Sequence, residues 1–167
     1  MVNTADRSTA HHRPVRPRVA AALAFGLLLL VAFQVALTLG APFGQAALGG
    51  ANAGQLPPEL RMVTAIATVA WLVATLVVLA RGGLAVSFLP RAVSLWGTWL
   101  VVCVLALGAL LNFASSSPWE RFGWGPFTLT MLILGTILAR SGYAEVGEPP
   151  HPEDDRASTA AGDRPPC

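Results

Sequence analysis

Two pairs of opposite charge interrupt the hydrophobic part of the sequence, and each pair follows a proline. Glu59 and Arg61 form the first pair, and Glu120 and Arg121 form the second. A carboxylate beside a guanidinium can hold a polar ligand through charge-assisted hydrogen bonds, and the two pairs can equally bind each other. The shared order of proline, glutamate and arginine also raises the possibility of two similar hairpins in parallel orientation.

A purely structural role explains the same residues. Ser117, Pro118 and Glu120 have the spacing of a capping box, with serine at the N-cap and glutamate at the third helical position. A glutamate near an exposed helix N-terminus also contributes about 0.3–1 kcal/mol through the helix dipole. Arg61 and Arg121 would then extend to the lipid headgroups as anchors. The sequence leaves both interpretations open: caps and anchors, or the rim of a binding site.

Other patterns that carry chemistry are missing from the sequence. The three histidines lie near the chain ends, so no metal site is expected. The serine run 115–117 has no histidine nearby to act as its base. No glycine-rich segment follows a strand, which excludes a phosphate loop. Cys103 and Cys167 form no CxxC motif or disulfide framework. We therefore predict a non-enzymatic protein with no cofactor, metal or nucleic-acid partner.

Four long apolar runs must position these residues. The chain is 54% hydrophobic and 12% charged, with mean hydropathy +0.59, whereas a soluble domain carries about 25% charged residues. Each run is about 18–21 residues long, and about 20 helical residues cross a bilayer. The sequence predicts an all-α membrane protein, a four-transmembrane-helix bundle within residues 19–140, with spans at about 19–39, 62–80, 92–111 and 122–139.

The distribution of arginine predicts the orientation of these spans. Placing both chain ends and the turn 81–91 on one side collects nine arginines there and leaves Arg61 and Arg121 on the other. The positive-inside rule then puts both termini in the cytoplasm, with the protein in the cytoplasmic membrane. The first run is longer than the roughly 7–15 apolar residues of a signal peptide, so we expect it to remain a span.

Two tails flank the predicted bundle. Residues 1–18 form a basic N-terminal tail, and residues 141–167 form an acidic, proline-rich tail that we expect to be disordered. Tryptophans near the predicted span ends suit the membrane interface, and Trp71 is the exception, midway along the second run. The predicted belt residues are Trp96, Trp99, Trp119 and Trp124.

The connection 40–61 is unusually apolar for its length. It contains five glycines and three prolines, so one continuous helix is excluded, and its only charges are Glu59 and Arg61. Structureless loops above about 12–15 residues are uncommon in compact proteins. We predict a short helical piece around Phe43–Leu48, ended by Gly49-Gly50, that covers the outer end of the bundle. The second outer loop, 112–126, contains Pro126, which predicts a bend at the start of the fourth helix.

Uncharged polar residues gather in the outer half of the predicted bundle. No Asp, Glu, Lys, Arg or His interrupts the four runs, which counts against an ion-coupled transporter. Polar residues at helical spacing often mark helix packing in membranes. The alternative is a pocket that opens outward, roofed by the 40–61 loop, with Trp71 as its floor. Its candidate residues, with the charged rim, are Gln34, Thr38, Glu59, Arg61, Thr64, Thr68, Trp71, Asn112, Glu120 and Arg121.

Several short segments resemble those of a known group of proteins. G-A-P-F-G at 40–44, L-P-P-E-L-R at 56–61 and N-F-A-S-S-S-P-W-E-R-F at 112–122 resemble small four-helix integral membrane proteins of high-GC, actinobacterial type. The resemblance covers about residues 19–140 and implies four spans. It implies no activity, substrate or cofactor.

Three functions remain after these exclusions. The first is a non-enzymatic binding or accessory protein that recognises a lipid, a small amphiphile or another membrane protein through its outer half. The second is a small transporter or permease component. The third is an enzyme that acts on lipid, which would depend on Glu59 and Glu120 as its carboxylates.

Overall fold

Four long helices make up most of the structure. A computed structural model describes residues 16–84 and 89–142, so the predicted tails lie almost wholly outside the described residues. Within these two ranges the chain is helical and contains no strand, which confirms the all-α prediction. The helices are α1 (Pro17–Thr38), α2 (Pro58–Arg81), α3 (Arg91–Ala114) and α4 (Gly125–Ala139), and a π-helical turn, Glu120–Trp124, leads into α4.

All four helices are long and apolar enough to cross a membrane, if the π-helical turn is counted with α4. Proline lies in the first turn of α1 and α2, where its missing N–H breaks no helical hydrogen bond. The outward faces of the bundle carry large apolar side chains such as Phe25, Ile66 and Leu100, each about 65% exposed. A soluble protein rarely exposes a continuous apolar surface of this kind.

The helices form a ring in chain order, and each hairpin packs more tightly within itself than against the other. We call the end of the bundle that carries segments 39–57 and 115–119 the loop end, and the opposite end the terminal end. The core of the terminal half is closely packed, and its central side chains have no exposed surface; these are Leu23, Leu27, Val78 and Leu138.

Glycines let the helices approach closely in this half. A Cβ added at Gly82 would lie 2.2 Å from the Cβ of Ala20, where α1 meets the end of α2. A Cβ at Gly97 would lie 2.9 Å from Val77, between α3 and α2. Gly108 differs, because a Cβ there would meet nothing within 4 Å. Close approach of the helices thus depends on the missing side chain at Gly97 but not at Gly108.

A buried arginine joins α2 to the end of α4. Arg81 is only 3% exposed, and its Nη2 donates to the carbonyl oxygens of Ala139 and Ser141, at 3.2 and 2.7 Å. Carbonyl groups at a helix C-terminus lack partners within the helix and carry partial negative charge. The guanidinium at the end of α2 therefore supplies hydrogen bonds to carbonyl groups at the end of α4.

The start of α4 differs from the predicted bend. The chain runs as a helix through Pro126, and the irregularity lies just before it, in the π-helical turn. Pro126 lacks the N–H that a regular helix would need there. A π-helical turn lengthens the hydrogen-bonded ring by one residue, which accommodates such a break without ending the helix.

The 40–61 connection folds as two short 3₁₀ turns, Gly44–Ala46 and Leu48–Gly50, instead of the single helical piece predicted. Ala47 lies between them in an extended conformation, and Leu48 has a positive φ of 54°, which is rare outside glycine. Ala47 and Leu56 pack with Leu37 in a small second core. This core accounts for Ala47 and Leu56, whereas Phe43 and Leu48 of the same connection are about half exposed.

Gly82→Ala should destabilise the bundle by about 1–3 kcal/mol, the usual cost of overpacking. The new methyl group would overlap Ala20, whose side chain cannot rotate away. Thermal unfolding of purified protein in one detergent measures the change. Gly108→Ala is the matched control, since its methyl group enters open space, and it should unfold at or above the wild-type temperature. Equal unfolding temperatures for wild type and Gly82→Ala would contradict the described packing of α1 on α2.

Candidate ligand-binding cavity at the loop end

The segment that precedes α4 binds the opposite loop and does not cap its own helix. Ser117 Oγ donates to the carbonyl oxygen of Gln45 at 2.6 Å, and Glu120 Oε1 accepts from the N–H of Gly49 at 2.9 Å. The N–H of Ser117, which a capping box would pair with Glu120, donates to Ser115 Oγ. The predicted capping box is therefore wrong. Its polar groups instead satisfy backbone groups of the two 3₁₀ turns.

These contacts hold the two 3₁₀ turns of the first loop over the loop end of the bundle. We call this part of the loop, residues 44–50, the roof. Gly50 lies so close to Ser117 that an added Cβ would come within 2.7 Å of its side chain. Glu120 is buried, with 6% of its surface exposed, although it carries a carboxylate. Ser116 Oγ also donates to the carbonyl oxygen of Gly49, at 3.4 Å, so the roof is fixed to the second hairpin by three hydrogen bonds. None of these contacts was predicted, because each joins residues about 70 positions apart.

A cavity of about 170 Å³ lies beneath this roof, among all four helices. For comparison, an apolar cavity of roughly 150 Å³ can hold one benzene-sized molecule. Its roof includes Ala46, Ala47 and Leu48, and Glu120 lines it from the second hairpin. Its deepest residues are apolar or aromatic; they are Leu30, Trp71, Val104 and Leu105. The cavity is therefore polar near the roof and apolar toward the middle of the bundle.

Four polar side chains line the cavity between its roof and its base: Gln34, Thr64, Asn112 and Thr128. Asn112 Nδ2 donates to Thr128 Oγ1 at 3.3 Å, which joins α3 to α4. Gln34 Oε1 is buried and has no hydrogen-bond partner in the structure. Buried polar atoms nearly always have a partner, either in the protein or in bound water. Gln34, which lines the cavity, thus leaves one acceptor unused.

Aromatic side chains line the cavity on one side. The rings of Phe33 and Trp124 are 4.6 Å apart between centroids, and both residues line the cavity. Trp124 also packs edge-on against Phe127, with centroids 5.5 Å apart. The sequence had assigned Trp124 to the membrane interface; in the structure the ring is half-buried and packs against Phe33 and Phe127. The i, i+4 spacing of Trp124 and Thr128 was the available signal for their shared face.

A second, larger depression adjoins this aromatic wall. It has a volume of about 680 Å³ and a mainly apolar lining. It shares Phe33, Ala46 and Trp124 with the cavity, and Pro42, Phe43 and Trp119 complete its outer part. We call it the aromatic groove. The cavity and the groove together place a polar chamber beside an apolar one at the loop end.

Some predicted site residues serve helix packing. Thr38 and Thr64 are joined hydroxyl to hydroxyl at 2.8 Å, and Arg61 Nε donates to the carbonyl oxygen of Thr38 at 2.9 Å. Thr68 donates to the backbone oxygen of Thr64, its own helix. Of these four, only Thr64 lines the cavity. Thr38 and Arg61 belong to the α1–α2 junction, and Thr68 bonds within α2.

The charged pairs do not meet across the hairpins. Glu59 and Arg121 are exposed and line neither the cavity nor the aromatic groove. Among the described residues, Glu120 has no arginine partner within ion-pair distance, and its one bond is to Gly49. Glu120 alone of the four charged residues belongs to the cavity lining. The described residues also contain no group of three potential metal ligands.

Compared with known protein families, with curated proteins and with solved structures, the chain matches none. Arguments about its function therefore rest on the geometry of the loop end.

Glu120→Ala should loosen the roof, because the N–H of Gly49 loses its acceptor. A hydrogen bond to a charged group contributes about 1.5–3 kcal/mol, so amide exchange in 44–50 should accelerate by about tenfold to a hundredfold. Hydrogen–deuterium exchange with mass spectrometry measures this. Glu59→Ala removes an exposed carboxylate on the same side of the bundle and should leave these amides unchanged. Equal exchange in wild type and Glu120→Ala would contradict the described roof contact.

Proposed function

We propose that this chain is a four-span protein of the cytoplasmic membrane that binds a small amphiphile in its loop-end cavity, without enzymatic activity. In this proposal both termini are cytoplasmic and the roof faces outward. The carrying observation is the orphaned Gln34 Oε1 in a cavity whose roof is held by Ser117 and Glu120. A polar group left without a partner at a preformed cavity favours binding from outside the chain.

The layout of the cavity supports an amphiphile over a fully polar solute. Polar groups lie under the roof, whereas Leu30, Trp71 and Leu105 lie deeper. A molecule with one polar end and one apolar end would satisfy both regions at once. The apolar outer surface of the helices supports the membrane placement, since lipid is the solvent that such a surface requires.

The closed terminal half favours binding over transport. Below the cavity the bundle is filled by side chains with no exposed surface, including Leu23, Leu27 and Val78. Arg81 and its carbonyl partners occupy the end of this core. A transporter needs a second open state, and the tight packing of α1 on α2 at Gly82 opposes one. A filled core below the site supports a binding or accessory protein over a transporter.

The proposed orientation can be tested with single cysteines. In a Cys103→Ala background, native Cys167 marks the C-terminal tail, and Ser116→Cys marks the exposed second loop once Cys167→Ser is added. A membrane-impermeant maleimide applied to intact cells should label Cys167 only after lysis, but should label the Ser116→Cys protein before lysis. The reverse pattern would place the cavity on the cytoplasmic side and contradict the proposed orientation.

Native mass spectrometry of protein extracted gently from its own membrane tests the binding proposal. Wild type should retain one discrete small adduct. Gln34→Leu should weaken that adduct about tenfold, because it removes the orphaned acceptor. Thr136→Val, a matched change in a hydroxyl that bonds only its own helix, should retain the adduct. Bare protein, bulk lipid alone, or a protein-sized adduct would each overturn the proposed amphiphile.

A further inference from the structure

The cavity carries one charged group, and that group is acidic. Among the residues that line it, Glu120 alone is ionisable, and no arginine, lysine or histidine is present. Arg61 donates to the carbonyl oxygen of Thr38 and lies beside Gly40, and Arg121 is exposed and outside the lining. The lining therefore offers nothing to neutralise a phosphate, sulfate or carboxylate. A cation would instead balance the negative charge of the Glu120 carboxylate.

The free hydrogen-bonding capacity also points to a cation that carries N–H donors. Within residues 16–84 and 89–142, only one oxygen of Glu120 has a hydrogen bond, the one from Gly49. Gln34 Oε1 is a second acceptor without a donor, and it is buried. A primary or secondary ammonium group has two or three N–H bonds and a positive charge. It can therefore serve both acceptors, which a quaternary ammonium cannot.

The aromatic lining fits the same chemistry. Phe33, Trp71 and Trp124 all line the cavity. The face of an aromatic ring attracts a cation, and tryptophan does so most strongly. A single carboxylate with several aromatic walls is an arrangement that stabilises organic cations more than hydrated metal ions, which need several oxygen ligands.

The aromatic groove supplies a place for an apolar tail. It begins at the Phe33–Trp124 wall of the cavity and continues past Pro42, Phe43 and Trp119. Phe43 and Trp119 are 50% and 66% exposed, so the groove is open along its outer side. An alkyl chain lying there would bury apolar surface while its head group occupies the cavity.

We propose that the ligand of this cavity is a phosphate-free amphiphilic amine, bound as an ammonium ion between Glu120 and Gln34 with its alkyl chain in the aromatic groove. This inference rests on the proposed function and narrows its ligand class. Phosphatidylethanolamine shares the ammonium group, but its phosphate would lie next to the head group without a basic partner. The cavity therefore favours an amine that carries no phosphate.

Dodecylamine and dodecanol are matched probes, because they share one chain and differ in the charged head group. Full-length protein in phosphatidylcholine nanodiscs is titrated with each at neutral pH, and native mass spectrometry counts the bound molecules. Saturable one-to-one binding of dodecylamine, at least about tenfold tighter than dodecanol, is expected. Glu120→Gln should abolish this preference while retaining the roof, because the glutamine oxygen can still accept from Gly49. Glu59→Gln is the control and should bind as wild type.

The outcomes separate this inference from the proposed function. Saturable binding of dodecanol as tight as that of dodecylamine, unaffected by Glu120→Gln, would overturn the cation and leave the amphiphile site standing. No saturable binding of either probe would overturn both. Displacement of dodecylamine by an equal mole fraction of phosphatidylethanolamine would overturn the phosphate-free assignment. Hydrogen exchange in 44–50 shows independently that each variant keeps its roof.

Discussion

The fold at the loop end depends on how the apolar first loop satisfies its backbone. Glycines and prolines prevent it from forming a helix, so its N–H and carbonyl groups must find partners elsewhere. Glu120 and Ser117 supply two of them, from the other hairpin. Because these bonds join the loop of α1–α2 to the start of α4, they also set the distance between the hairpins. The cavity is the space that remains when this distance is fixed and the side chains below have packed.

The sequence predicted the helices well because their cause is local. Four uncharged runs of sufficient length, with prolines at helix starts, require no knowledge of the partner helices. It also placed Gln34, Thr64, Trp71 and Asn112 in one half of the bundle, since helical spacing and topology determine depth. The loop contacts could not be predicted in the same way. Ser117 and Glu120 match a local capping pattern, yet their actual partners are about 70 residues away, and only tertiary structure brings them together.

The polar residues of the loop end divide between two roles. Thr38, Thr64 and Arg61 form a closed set of hydrogen bonds that joins α1 to α2, as expected of polar residues at membrane helix contacts. Gln34 and Glu120 have unused capacity beside open space. From the sequence, the polar residues in the outer half of the bundle could serve either helix packing or a binding pocket. In the structure they are neighbouring regions, and the unused acceptors distinguish one from the other.

The bond between Arg81 and the end of α4 bears on the order in which the protein is assembled. The carbonyl oxygens of Ala139 and Ser141 are 58 and 60 residues beyond Arg81 in the chain. Since synthesis proceeds from the N-terminus, α2 is complete well before these acceptors exist. The first hairpin is thus synthesised before these two carbonyl acceptors of Arg81. The contacts of Arg81 at one end of the bundle and of Glu120 at the other therefore both require the last part of the chain, residues 120–141.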